Sequence, residues 1–129
     1  MNKIRVLVKE PGKAPEEREI ENTLEAFQAI VGGHIEALRI DEEIACYIDE
    51  DGKMKSLTPN FVVPVYSAAG YDIVCGTAVF FRCGCDGSET SLTFTDVLQI
   101  KYFLRGRDLR NFVLDLSLIH ISEPTRPIS

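Results

Sequence analysis

Apolar and polar positions alternate at the start of the chain: Ile4, Val6 and Val8 fall on one side, Arg5 and Lys9 on the other, with Leu7 interrupting the polar face. A two-residue period of this kind predicts a half-buried strand. Glu10-Pro11-Gly12-Lys13 then turns the chain, because proline presets the first turn dihedral and glycine accepts a positive one. A second strand near Glu17 to Ile20 is expected to return beside the first. The period next lengthens. Asn22 with Glu25 three positions on has the form of a capping box, and Leu24, Phe27, Ile30 and Val31 make one apolar helical stripe. Gly32-Gly33 ends that helix, with Gly33 taken as the left-handed cap ahead of a strand that starts at His34.

Alternation resumes through Ile44, Cys46 and Ile48, and Asp51-Gly52 is the strongest hairpin signal in the chain, so Lys53 to Leu57 is expected to run back alongside. Phe61 to Gly70 has no clear period, and Pro64 argues against a central strand there. Tyr71 to Arg82 is apolar on both sides, as in a strand covered twice, with Gly76 marking a bulge or a close backbone approach. Thr95-Asp96 is expected to cap a second helix with Val97, Ile100 and Leu104 as its stripe. Strands and helices joined by hairpin-length connections predict an α+β fold: a mainly antiparallel sheet of about five strands with two helices packed on one face.

The carboxyl end changes the length available to that fold. Leu116-Ser117-Leu118-Ile119-His120-Ile121-Ser122-Glu123-Pro124-Thr125-Arg126 resembles the conceptual translation of a transposase sequencing adapter. Residues 116–129 are therefore set aside as a non-native tail. Residues 1–115 are left as one domain, long enough for a single core. His120 drops out of any catalytic constellation.

Hydrophobic residues make up 45% and charged residues 26%, which excludes a disordered chain. No apolar run approaches the roughly 20 residues of a membrane helix. The first nine residues lack the form of a secretory signal. A cytoplasmic protein with no membrane partner is expected.

Charge is unevenly placed. Residues 10–51 hold thirteen acids against three bases, a net of −10 in a chain of −6, so the remainder is +4. Such asymmetry steers a cationic partner. Glu16, Glu17, Asp41, Glu42 and Glu43 are the candidate residues for binding a protein partner. Mimicry of duplex DNA would need a denser array, since DNA presents one charge per roughly 1.7 Å. The alternative partner is nucleic acid, bound by Lys101, Arg105, Arg107 and Arg110 with Tyr102 and Phe103 among them.

Ile4-Arg5-Val6-Leu7-Val8, Glu10-Pro11-Gly12-Lys13, Glu19 to Glu25, Ile30-Val31-Gly32-Gly33 and Ile35-Glu36 resemble the bacterial and phage family called domain of unknown function 3846. Asp51-Gly52-Lys53, Pro59-Asn60, Tyr71-Asp72-Ile73-Val74 and Gly76-Thr77 resemble its later blocks. The resemblance implies an accessory protein of phages or conjugative elements in Gram-positive bacteria, and it supplies no catalytic residue.

The residues themselves supply no strong chemistry. Cys75, Cys83 and Cys85, with Cys46 or His34, match no structural-zinc spacing, and buried free thiols in a reducing cytosol are expected instead. Asp49-Glu50-Asp51 is ordinary turn chemistry before it is a cation site. One native histidine builds no nucleophilic triad with a second imidazole, and Gly32-Gly33 closes a helix where a phosphate loop would open one. No cofactor, metal or catalytic residue is assigned. The reading is a non-enzymatic protein-binding or regulatory module; the alternatives are a nucleic-acid-binding module and a small enzyme whose site carries no recognisable motif.

Overall fold

The computed structural model of the chain describes residues 2–65 and 70–110. In chain order the elements are β1 (Lys3–Lys9), β2 (Glu16–Glu21), α1 (Leu24–Val31), β3 (Ile35–Arg39), β4 (Ile44–Asp49), β5 (Pro59–Val65), β6 (Gly70–Cys75), β7 (Ala78–Cys83), β8 (Glu89–Thr90) and α2 (Phe94–Arg105). The main sheet has the order β2-β1-β7-β4-β3, with the short β8 also on β7, and β5-β6 form a second, two-stranded sheet. Every pairing between these strands is antiparallel. The α+β class expected from the pattern is the one observed. The proposed domain end at Asp115 and the adapter-like tail lie outside the described residues.

The two helices lie on opposite faces of the main sheet, which corrects the expectation that they share one. Ile4, Val6, Val8, Ala45, Val79 and Phe81 point toward α1 and pack on Phe27 and Val31. Leu7, Ile44, Cys46, Ala78 and Phe80 point the other way, into a core completed by Phe61, Val63 and Val74 of the β5-β6 hairpin and by Val97, Ile100 and Leu104 of α2. Central strands with apolar residues on both sides need a cover on each, and burying one Leu or Phe stabilises by about 1.5–3 kcal/mol. Leu7 interrupts the polar face of β1 because that face is also inside.

The same cover encloses Lys9, expected on a polar face and found fully buried. Its Nζ donates to Asn60 Oδ1 at 2.9 Å and to the Glu10 carbonyl at 2.9 Å, and stands 3.3 Å from Asp108 Oδ1. Asn60 Nδ2 donates in turn to the Lys9 and Gly76 carbonyls, at 2.7 and 2.8 Å. Every polar atom of this knot that could be stranded has a partner, the condition under which burial is tolerated. Burial pushes the Lys9 ammonium below its ordinary pKa, and Asp108 opposes the shift.

Several local expectations change. Thr23, not Asn22, caps α1: its Oγ1 accepts from the Ala26 N–H at 3.1 Å, while Asn22 Nδ2 donates to the Glu89 carbonyl. Gly32, not Gly33, is the left-handed cap, at φ 93° with its N–H on the Gln28 carbonyl at 2.7 Å. A side chain at Gly33 would instead run into Lys55 Nζ and Asp49 Oδ2, at 2.8 and 2.9 Å from its Cβ. Thr93 caps α2 in a full capping box with Asp96, so Thr95-Asp96 lies inside the helix. The stretch Tyr71 to Arg82 is two strands in different sheets, broken at Gly76, whose φ of 94° turns the chain from β6 into β7. Phe61 to Val65 belongs to β5, and Pro64 is accommodated because the β5-β6 sheet has only two strands.

The Asp51-Gly52 hairpin does not form. Both edges of β4 are already taken, by β3 and by β7, so no lane remains for a returning strand. The chain coils through a turn, Lys55 N–H to the Asp51 carbonyl at 2.9 Å and Leu57 N–H to the Gly52 carbonyl at 3.0 Å, and crosses to β5.

Candidate partner-binding cleft

That turn closes one end of a cleft between the main sheet and the hairpin laid over it. In the β3–β4 pair Glu36 stands opposite Ile48 and Leu38 opposite Cys46, all on the side facing the hairpin. Together with Asp72, Ile73, Val74 and Cys75 of β6 and residues 49–54, Glu36, Leu38 and Ile48 line a cavity of about 330 Å³. Leu38, Ile48, Val63 and Val74 supply an apolar floor; Met54 and Ile73 stand exposed beside it.

The rim is acidic. Five carboxylates line the cleft, Glu36, Asp49, Glu50, Asp51 and Asp72, against one ammonium, Lys53. Asp49 is nearly buried. Burial opposes its charge, but the Lys55 ammonium 2.5 Å from Oδ2 and the Asp51 N–H donating to Oδ1 at 2.8 Å outweigh it and hold the carboxyl below its usual range. Asp72 is held low by its ion pair with Lys53 and by the Ile73 N–H, which donates to Oδ1 at 2.8 Å. The bond from Ile73 also satisfies an outward donor of β6, a device that blunts a strand edge. Glu36, Glu50 and Asp51 make no ion pair among the described residues. The cleft therefore offers carboxyl acceptors above an apolar floor, which suits a cation carried on an aliphatic stem.

Residues 4–105 match the family described as Domain of unknown function (DUF3846). The chain belongs to this DUF3846 family. No curated protein and no solved structure matches it.

The acidic candidates of the sequence do not form one surface in this DUF3846 domain. Glu16 and Glu17 lie on β2, at one edge of the main sheet, where Arg18 holds Glu16 at 2.9 Å and Arg5 faces Glu17 at 4.0 Å. Asp41, Glu42 and Glu43 lie in the turn after β3, at the other edge. There Arg39 Nη1 donates to the Asp41 and Glu42 carbonyls, and Glu43 holds Arg82 at 2.9 Å. The acids that do converge come from three separate stretches, Glu36, Asp49 to Asp51 and Asp72. Asp49-Glu50-Asp51 was visible as a charged turn, but the hairpin expected around it hid the cleft.

Three of the four basic candidates meet. Lys101, Arg105 and Arg110 line a second cleft of about 330 Å³ with Asp108, Leu104, Ala14 and Pro15. Arg110 there stands 3.4 Å from Asp108 Oδ2. Arg107 is turned away, its guanidinium 4.5 Å over the Phe103 ring and donating to the Phe103 carbonyl at 2.9 Å. Phe103 packs against the core as expected of a core aromatic, whereas Tyr102 is 75% exposed.

The four cysteines are free and scattered: Cys46 is buried, Cys75 lines the acidic cleft, Cys83 packs toward α1, and Cys85 is exposed. Among the described residues no three His, Cys, Asp or Glu side chains, those of the cleft included, stand close enough together to hold one metal ion, and no helix is long and apolar enough to cross a membrane.

Proposed function

We propose that this DUF3846 domain is a non-enzymatic accessory module that recognises a protein partner, and that the β3–β4/β6 cleft takes a cationic segment of it. The observation that carries this reading is the convergence of five carboxylates over an apolar floor in one cavity of about 330 Å³. The displaced carboxyl groups, Asp49 and Asp72, are displaced downward, toward the charged form. That favours electrostatic recognition; a general acid needs the opposite shift. Glu16, Glu17, Asp41, Glu42 and Glu43, spread over two edges, add a long-range field that attracts the same partner. The resemblance to phage and conjugative-element proteins supplies the setting, a bacterial cytoplasm.

A second reading is a nucleic-acid-binding module, favoured by the meeting of Lys101, Arg105 and Arg110 around one cleft. Capture from a Gram-positive host lysate separates the two. Glu36, Glu50 and Asp51 changed together to lysine should abolish retention of the protein partner, and rising salt should weaken it, since exposed charges are screened beyond about 10 Å at 0.1 M. Glu16 and Glu17 to lysine should only slow its association. Retention of nucleic acid at low salt, released by Lys101→Ala with Arg105→Ala, would instead establish the second reading.

A further inference from the structure

The outer face of α2 carries a feature that neither cleft uses. Val97, Ile100 and Leu104 bury the inner face of this helix, and Thr93 with Asp96 fixes its start. On the opposite side Phe94, Leu98 and Tyr102 are 79%, 51% and 75% exposed. They are spaced four residues apart, so they stack into one ridge along the helix. A single exposed leucine is ordinary, but a contiguous apolar row marks an interaction surface, and rows of this spacing are what helices interdigitate when they pack.

The charges beside the ridge point to its occupant. Lys101 and Arg105 are exposed at its carboxyl end. On its other flank Asp41 shares a concavity of about 380 Å³ with Thr95, Leu98, Gln99 and Tyr102, and Glu42 follows it in the same turn. Two acids and two bases balance locally on a chain whose net charge is −6. Copies of such a chain repel one another wherever their acidic surfaces meet, and a locally neutral apolar face is where they can approach. The ridge is also symmetric about Leu98, with an aromatic residue four positions to either side. A surface that is its own complement under a two-fold rotation is the requirement for an isologous dimer.

We infer that α2 is a homodimer interface, in which it packs antiparallel on the same helix of a second copy, with Leu98 near the two-fold axis and Phe94 against Tyr102 of the partner subunit. Aromatic side chains bury about 150–250 Å² each, so the two supply roughly half of the about 800 Å² that a protomer brings to a standard interface. Leu98 at the centre of the ridge fits this packing and offers no ring on which a base could stack.

Sedimentation velocity on the full chain tests the inference. Wild-type protein should sediment as a dimer at micromolar concentration, and Leu98→Arg should halve the mass while leaving the circular dichroism of a folded chain and removing the concentration dependence of the thermal midpoint. In a Cys85→Ser background, Leu98→Cys should oxidise to a disulfide-linked dimer, since a residue at the axis brings its own copy within bridging distance. Ala29→Cys, exposed on α1, should not. A wild-type monomer at all concentrations, a dimer that survives Leu98→Arg, or a heavy species that contains nucleic acid and is lost with Lys101→Ala and Arg105→Ala would each overturn it.

Discussion

Lys9 shows how much a single residue's role depends on what covers it. Its place in the alternation of β1 was legible, but not that the hairpin and α2 would enclose the face it lies on. Removing its charge strips the buried Asn60 Oδ1 of its donor and leaves the Asp108 carboxylate with Arg110 alone. Lys9→Met should therefore destabilise by about 3 kcal/mol, in the range for breaking a buried pair from one side, measured as a loss of denaturant midpoint. The lowered folded pKa gives a sign as well. Between that value and the unfolded one near 10.4 the unfolded chain binds the extra proton, so the contribution of Lys9 to stability rises with pH through this window and is lower beneath it. Wild type should gain on Lys9→Met as pH climbs toward the unfolded value near 10.4. Gly32 was legible only as one of a pair, because either glycine can take a positive φ; the bond of its N–H to Gln28 decides. Gly32→Val should cost about 1 kcal/mol or more and Gly32→Asn less, since asparagine tolerates the left-handed region. Equal midpoints for wild type and Gly32→Val would place the cap elsewhere.

At the scale of elements, what the sequence showed was periodicity, and what it hid was competition for strand edges. β1, β2, α1, β3, β4 and the stripe of α2 follow their periods. Asp51-Gly52 has hairpin chemistry, yet β3 and β7 already flank β4. The amino end of α2 shows the same limit: Thr93 and Thr95 both precede acids, and tertiary contact selects Thr93, because Asp96 then reaches Arg82 at 2.7 Å as well as the Thr93 N–H at 2.8 Å. Burial opposes the charge of Asp96, and Thr93 and Arg82 more than compensate, leaving its pKa depressed. A depressed carboxyl contributes stability that is complete above the unfolded value near 3.9 and is lost as pH falls through the folded one. Asp96→Asn should lower stability by about 1–2 kcal/mol at neutral pH, as for a lost cap, and should flatten the acid limb of the stability profile. A mutant with an unchanged acid limb would show that other carboxylates set it.

At the scale of the molecule, the charge asymmetry was fully legible and its geometry was not. Counting acids shows that residues 10–51 are negative; only the topology shows that Glu16 and Glu17 end on one edge and Asp41 to Glu43 on the other. The cleft is assembled by the hairpin crossing over β3 and β4, a long-range event with no local signature, and it brings in Asp72 from outside the acidic stretch. Whether this cleft receives a cationic segment is decided by titrating the isotope-labelled chain with a short peptide of alternating arginine and leucine and following backbone amide shifts. Saturable shifts confined to Glu36, Leu38, Glu50 to Lys53 and Asp72 to Val74, and lost in Glu50→Lys with Asp51→Lys, are the predicted result. Shifts spread evenly over the exposed acids, or centred on β2 or the turn at 41–43 and indifferent to those substitutions, would contradict it.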